Sequence, residues 1–229
     1  MSQPAREPTP QLAHRLASRQ TMEQPTLADV SKAALRRRLA DARRALDPGD
    51  RATRSARIAE ACRRLPAFAD AAFVCAYVSF REEVETGALI DTLLAAGRRV
   101  AVPVHMHGTP RPLIFAEIGS RAELVPNHFG IPQPPEAAAR FIPTESIPLF
   151  LVPGLGFDAS GGRLGYGLGF YDRAFASAAP GALKVGLAFE AQLLERVPTG
   201  PHDVPMDIVV TEDRVIPAAP GAGAPTRRW

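Results

Sequence analysis

The sequence predicts an α/β protein, a single-domain layered fold with a mostly parallel central sheet flanked by helices. Short apolar runs recur between residues 73 and 210, each of a length suited to a buried strand. Segments with helical spacing, glycine stops and proline-rich turns separate them, and such alternation is how helices come to cover both faces of a sheet. At 229 residues and 46% apolar content, the chain has ample material for one core.

The ordered domain is expected over residues 31–217, between a flexible N-terminal extension (1–30) and a flexible tail (218–229) rich in Ala, Gly and Pro. Pro4, Pro8, Pro10 and Pro25 argue against a helical leader. From Ser31, a plausible cap, Leu35, Leu39, Ala42 and Leu46 form one buried stripe. Asp47-Pro48 ends that helix and starts a second, with proline at its first position, running to about Arg64. Phe73 to Phe80 reads as a strand, Gly87 to Ala96 as a helix stopped by Gly97, and Val100 to Val104 as a strand. A turn at His105-Met106-His107-Gly108 leads into a strand at Leu113 to Ile118. Residues 119–146 read as irregular, and strands follow at Leu149 to Val152, Lys184 to Phe189 and Asp207 to Val210.

Charge is unevenly spread. Residues 1–64 hold 14 basic and 7 acidic side chains, although the whole chain carries only +3. Such a region could meet nucleic acid or a nucleotide triphosphate, or simply be a solvated arginine-rich helix face. It contains no Tyr or Trp, so stacking on nucleic-acid bases has little support there. Cys62 and Cys75 sit in apolar segments and read as buried free thiols of a reducing compartment. With no apolar signal core and no run long enough to span a membrane, a cytoplasmic protein is expected.

Residues Gly161 to Asp172, GGRLGYGLGFYD, carry the chemistry. Five glycines, Arg163, Tyr166, Tyr171 and Asp172 stand between an apolar run and a segment, YDRAFASAA, that reads as a helix. A glycine-rich turn opening a helix brings backbone amides around a phosphate, and an arginine and a carboxylate there suit a triphosphate and its magnesium ion. The loop lacks the Gly-Lys-Ser/Thr ending of a P-loop. Phe170 stands near where a dinucleotide fingerprint needs its third glycine. A surface turn with glycines at left-handed positions is the structural alternative.

Val152 to Asp158 (VPGLGFD), Arg163 to Gly167 (RLGYG) and Tyr171-Asp172-Arg173 closely resemble the 5-formyltetrahydrofolate cyclo-ligases, also called 5,10-methenyltetrahydrofolate synthetases. KAALR from Lys32, YVSFREEVET from Tyr77, GIPQP from Gly130, and His202-Asp203 ahead of DIVVT from Asp207 follow in family-like order. The resemblance spans about residues 31–217. It implies ATP-phosphate contacts at Lys32, Arg36, Arg163 and the loop residues Gly165, Tyr166, Gly167, Leu168, Gly169, Phe170, Tyr171 and Asp172. It places the catalytic contacts at Lys32, Arg163 and Tyr171. Folate contacts fall on Val78, Glu83, Tyr166, Gly167, Gly169 and Phe170, and magnesium on Asp172 and Asp203. Family members often carry Gly or Lys where Leu168 stands and Tyr where Phe170 stands.

Read without the resemblance, Lys32 is a solvated helix-start lysine, Glu82, Glu83 and Glu85 a charged helix start, and Asp172 and Asp203 turn or first-turn carboxylates. His105 and His107 read as a polar hairpin tip, since no further zinc ligand lies nearby in sequence. Glu83 and the glycine stretch each follow a strand, which assigns both to the carboxyl edge of the sheet, where ligands bind. The resemblance implies ATP- and magnesium-dependent closure of 5-formyltetrahydrofolate to the methenyl form by a monomer acting on a small molecule, with no nucleic-acid or membrane partner. Another ATP-dependent ligase or kinase on this scaffold is the alternative.

Overall fold

A computed structural model describes residues 31–106 and 113–218. The expectations for the extension (1–30), for His107 and for the tail beyond Ala218 lie outside the described residues.

The first helix, α1 (Lys32–Arg44), starts where Ser31 Oγ accepts the Ala34 amide at 3.3 Å, and it buries Leu35 and Leu39. Asp47 caps α2 (Pro48–Arg63) through the Gly49 and Asp50 amides, with Pro48 at its first position. A short helix, α3 (Pro66–Ala69), leads to β1 (Phe73–Ala76). That strand ends four residues before the apolar run does. Thr86 Oγ1 donates to the Tyr77 carbonyl at 2.6 Å and accepts the Ser79 amide at 3.1 Å, so a side chain satisfies backbone that would otherwise extend the ladder. Next come α4 (Gly87–Ala95), stopped by Gly97 at φ 72°, then β2 (Arg99–Val104) and β3 (Ile114–Ile118).

Two short pairings organise the regions around the glycine-rich segments. β4 (Val125–Pro126) pairs with β5 (Pro132–Gln133). After β6 (Arg140–Ile142) and β7 (Leu149–Val152), β8 (Gly156–Phe157) pairs with β9 (Arg163–Leu164). The short helix α5 (Phe170–Phe175) and the strands β10 (Leu183–Leu187), β11 (Ile208–Val210) and β12 (Val215–Pro217) complete the described chain.

Eight strands form the main sheet in the order β12-β11-β10-β7-β1-β2-β3-β6. The central five, β11 to β2 in that order, are parallel, and the antiparallel partners lie outside them. From β1 the chain moves to β2 on one side, and from β7 it moves to β10 and β11 on the other. The β1–β7 boundary is therefore the point where the winding reverses, and crevices form there at the strands' carboxyl ends.

Alternate residues of each strand enter opposite cores. Val74 and Ala76 join Ile58, Cys62, Leu89, Ile90 and Leu93 under α2 and α4. Phe73 and Cys75 face Phe150, Phe157, Ala174 and Phe175 on the other side. Burial pushes both thiols up, Cys62 to about 12 and Cys75 further, so neither is reactive at neutral pH. No helix among the described residues is long and apolar enough to cross a membrane.

The expected fold class is observed, with local differences. The edge strands β6 and β12 lack a long apolar run, as edges do, and β12 tolerates Pro217 there. The helix after the glycines spans only Phe170–Phe175, because the chain breaks into turns at Ala174–Ala178. The glycine stretch does not follow β7 directly, since the β8–β9 hairpin intervenes. Asp158, only 2% exposed, holds that hairpin together. Its Oδ1 accepts the Ser160 and Gly162 amides at 2.8 and 2.9 Å, and its Oδ2 the Val197 amide at 2.6 Å. Asp158→Ala should cost about 3 kcal/mol in denaturant unfolding, because it strips buried amides of a charged acceptor. A loss within error of zero would show that these amides find other partners.

Candidate functional site

A cavity of about 520 Å³ opens at the carboxyl ends of β1 and β7, bounded by Tyr77 and Val78 after the first strand and Pro153 after the second. Every site residue named from the sequence lies on its wall. Lys32 and Arg36 come from α1, and Val78 and Glu83 from the turn after β1. Arg163, Gly165, Tyr166, Gly167, Leu168, Gly169, Phe170, Tyr171 and Asp172 come from the glycine stretch, and Asp203 from the loop before β11.

One end of the cavity is a set of paired charges. Lys32 Nζ meets Asp203 Oδ2 at 2.9 Å, and Arg163 Nη2 reaches both oxygens of Asp172 at 3.0 Å. The Gly200 amide donates to Asp203 Oδ2 and the Val204 amide to Asp172 Oδ1. Burial pushes the Asp203 carboxyl up, but the Lys32 and Gly200 hydrogen bonds and the Lys32 and Arg163 charges outweigh it, so it stays below the usual carboxylate range. Arg36 Nε donates to the Gly165 carbonyl at 2.9 Å, which fixes α1 to the glycine stretch. Asp172 stands in the first turn of α5 and Asp203 closes a turn with Gly200, so each also fills the structural place read from the sequence.

Magnesium uses few protein ligands, commonly one or two carboxylates together with substrate phosphates and water. The residues present fit that demand. Two carboxylates, Asp172 and Asp203, share the wall, and Asp203 Oδ1 accepts no hydrogen bond among the described residues. Among the described residues no three His, Cys, Asp or Glu side chains form a metal cage of their own.

The glycines are explained by close approach. Gly167 has φ 102°, and a Cβ there would stand 3.1 Å from the Arg36 guanidinium carbon. Gly169 is left-handed at φ 61° and opens α5. Leu168 between them is 58% exposed, so this departure from the family pattern leaves an apolar side chain at the cavity mouth.

At the other end Glu83 is 8% exposed and stands in the turn before Thr86, not at a helix start. Its Oε2 accepts the Phe80 amide at 3.1 Å and its Oε1 the Tyr166 hydroxyl at 3.3 Å. Burial pushes this carboxyl up, opposed first by the Arg43 charge. Most of Tyr166 is exposed, yet its hydroxyl is tucked between Arg43 and Glu83, so the ring presents a flat face. Tyr171 packs at a tilt against Phe175, with ring centroids 5.7 Å apart, and lies under Arg163, 5.4 Å from the guanidinium carbon. Burial pushes its phenol well up, so it remains a donor at neutral pH.

Sequence reasoning missed several wall residues. His105 is not a solvated hairpin tip. It packs edge-on against Phe170 and Phe129, with ring centroids 4.9 and 5.6 Å apart, and burial pushes its pKa down. Phe129, Ile131 and Pro132 bring the GIPQP region to the apolar wall, where Phe80 and Leu113 join them. A polar-looking HMH turn gave no sign of this, because its aromatic partners are distant in sequence. Arg81, at φ 55°, lines the mouth. Arg43, buried on α1, looked like one of many surface arginines.

The sequence model of the 5-formyltetrahydrofolate cyclo-ligase family matches residues 28–212. The chain belongs to that family. Among its relatives, the 5-formyltetrahydrofolate cyclo-ligase of Mycolicibacterium smegmatis is 41% identical over 151 residues, which is 63% of this chain and 76% of the relative. The Escherichia coli K12 cyclo-ligase is 33% identical over 174 residues, 76% of this chain and 96% of that protein. The solution structure of Aquifex aeolicus 5,10-methenyltetrahydrofolate synthetase superposes with a TM-score of 0.73 at 29% identity, covering 85% of this chain and 96% of the other. The cyclo-ligase fold is thus the one described above.

Gly167→Ala should destabilise the protein by about 1–3 kcal/mol in thermal or denaturant unfolding, since its φ is one that side chains rarely adopt. Unchanged stability would mean that the segment relaxes freely and that Arg36 does not hold it.

Proposed function

We propose that this chain converts 5-formyltetrahydrofolate and ATP into 5,10-methenyltetrahydrofolate, ADP and phosphate. Family membership supports the reaction, and one observation carries the assignment to this cavity. A cationic end built from Lys32, Arg36 and Arg163 and a buried carboxylate end at Glu83 share one cavity. ATP and folate, joined at a transferring phosphoryl group, need those two ends.

A formamide carbonyl is a poor electrophile and its oxygen a poor leaving group. In the proposed sequence the formyl oxygen attacks the γ-phosphorus and the bond to ADP breaks. The neighbouring anilino nitrogen then adds to the formyl carbon and loses its proton, and phosphate leaves with the former formyl oxygen to give the methenyl cation. Lys32, Arg36 and Arg163 would bind and align the polyphosphate, with charge already concentrated where the transferring group carries it. Tyr171 would donate from its neutral phenol. Glu83 would accept the paired N–H donors of the pterin, Val78 and Phe170 would pack on its ring, and Tyr166 offers a stacking face. Substrates filling the cavity would displace water that could otherwise hydrolyse the phosphorylated intermediate.

Asp172 and Asp203 are the residues that would hold magnesium, which when bound neutralises and bridges phosphate oxygens. In the structure both carboxylates are occupied by Arg163 and Lys32. These pairs keep the cations aimed and limit the cost of burying charge before the polyphosphate arrives. We further infer a cytoplasmic monomer with a small-molecule substrate and no nucleic-acid or membrane partner. The two buried free thiols suit a reducing compartment, and one chain alone lines the cavity.

Purified protein supplied with ATP, magnesium and 5-formyltetrahydrofolate should develop the conjugated methenyl chromophore, with ADP formed in equal amount. No product with all components present, or full turnover without ATP, would overturn the assignment. Asp172→Asn and Asp203→Asn should each lower kcat by about 100-fold or more. Near-native rates and unchanged magnesium dependence in both variants would restrict the aspartates to orienting Arg163 and Lys32.

A further inference from the structure

Arg43 has no place in that account, yet its burial is unusual for an arginine. It is 3% exposed and sits on the last turn of α1, in line with the buried Leu35 and Leu39. Its Nη2 donates to the Tyr166 hydroxyl at 2.8 Å, and its Nε is buried without a hydrogen-bond partner. A buried guanidinium with one nitrogen unsatisfied is a poor stabiliser, and an apolar residue would extend the stripe at lower cost. The explanation for the charge lies in what it acts on.

The hydrogen bonds run in one direction. A guanidinium has only donors, so the Tyr166 hydroxyl must accept from Arg43 and direct its own proton to Glu83 Oε1, 3.3 Å away. The Phe80 amide holds Glu83 Oε2. The carboxylate is thereby fixed at both oxygens and counter-charged from one side, while it remains on the cavity wall.

We propose that Arg43 is a positioning residue for the heterocyclic end of the substrate: across the Tyr166 hydroxyl it aims the Glu83 carboxylate and supplies its counter-charge. This rests on the placement of the folate at Glu83 proposed above. The groups acting on Glu83 are Arg43, the Tyr166 hydroxyl, the Phe80 amide and the Glu82 charge. Tyr77 and Tyr171 also feel its charge, and burial keeps both phenols neutral. Burial favours the protonated acid at Glu83, and Arg43 is the foremost opposing influence. A protonated Glu83 would offer a donor to a ring edge that presents donors. Substrate capture is thus lost as pH falls through the Glu83 pKa, and removing Arg43 moves that loss to higher pH.

The test compares full-length wild type with Arg43→Met, Arg43→Lys and Tyr166→Phe, measuring KM for each substrate and kcat/KM for 5-formyltetrahydrofolate from mildly acidic to mildly alkaline pH. Arg43→Met should raise the folate KM by about 10-fold while the ATP KM stays at its wild-type value. Its acid limb should move upward by about one pH unit or more, with much of the loss recovered at alkaline pH. Arg43→Lys keeps the charge and should hold the limb nearer to wild type. Tyr166→Phe breaks the same connection while keeping the ring, and should move the limb in the same direction. It decides the matter if Arg43→Met does not fold. An unmoved limb in Tyr166→Phe, or equal losses for both substrates in Arg43→Met, overturns the proposal while leaving the cyclo-ligase reading intact. An inactive wild type overturns both.

Discussion

The parallel pairing of β1 with β7, Cys75 opposite Phe150 and Ala76 opposite Leu151, is the constraint on which the site depends. These neighbours lie far apart in sequence, and each ends in a loop that carries half of the chemistry. The turn after β1 supplies Glu83, and the segment after β7 supplies the glycine stretch. Because the winding reverses between the two strands, their loops diverge and leave a crevice, bridged where the Tyr166 hydroxyl meets Glu83. Mutual burial of Phe150, Phe157 and Phe175 on one face and of Val74, Leu151 and Val185 on the other fixes the register.

Helix α1 then closes the crevice from the side. Lys32, Arg36 and Arg43 reach Asp203, the Gly165 carbonyl and the Tyr166 hydroxyl respectively, so one helix face meets both the Asp203 loop and the glycine stretch. Lys32 and Arg36 stand one turn apart and serve the charged end, and Arg43 serves the carboxylate end. The same helix anchors itself by Leu35 and Leu39, which gives these cations a rigid base. Most polar contacts of the site are therefore made before any ligand arrives, and this preorganisation favours alignment over induced rearrangement.

Much of this was legible in the chain. Ser31 and Asp47-Pro48 marked the helix starts, because capping chemistry is local, and the strand runs marked the sheet core. The glycine stretch announced a close approach, and at Gly167 the Arg36 guanidinium stands where a Cβ would crowd it. What was hidden depends on distant partners. His105 looked like a turn residue because Phe129 and Phe170 flank it only in the fold. Arg43 was indistinguishable from Arg44 until burial separated them. The extent of α5 was overestimated because an alanine-rich segment has helical propensity that turns at Ala174–Ala178 override.

The central claim is that one cavity has two chemically distinct ends, and substrate-resolved kinetics on two single variants tests it most directly. Lys32→Ala removes a charge-assisted contact and should raise the KM for ATP by about 10-fold, more than that for folate. Glu83→Gln replaces an acceptor oxygen with a donor and should do the reverse. That crossed pattern is the predicted result. Equal effects of both substitutions on both substrates would contradict the account.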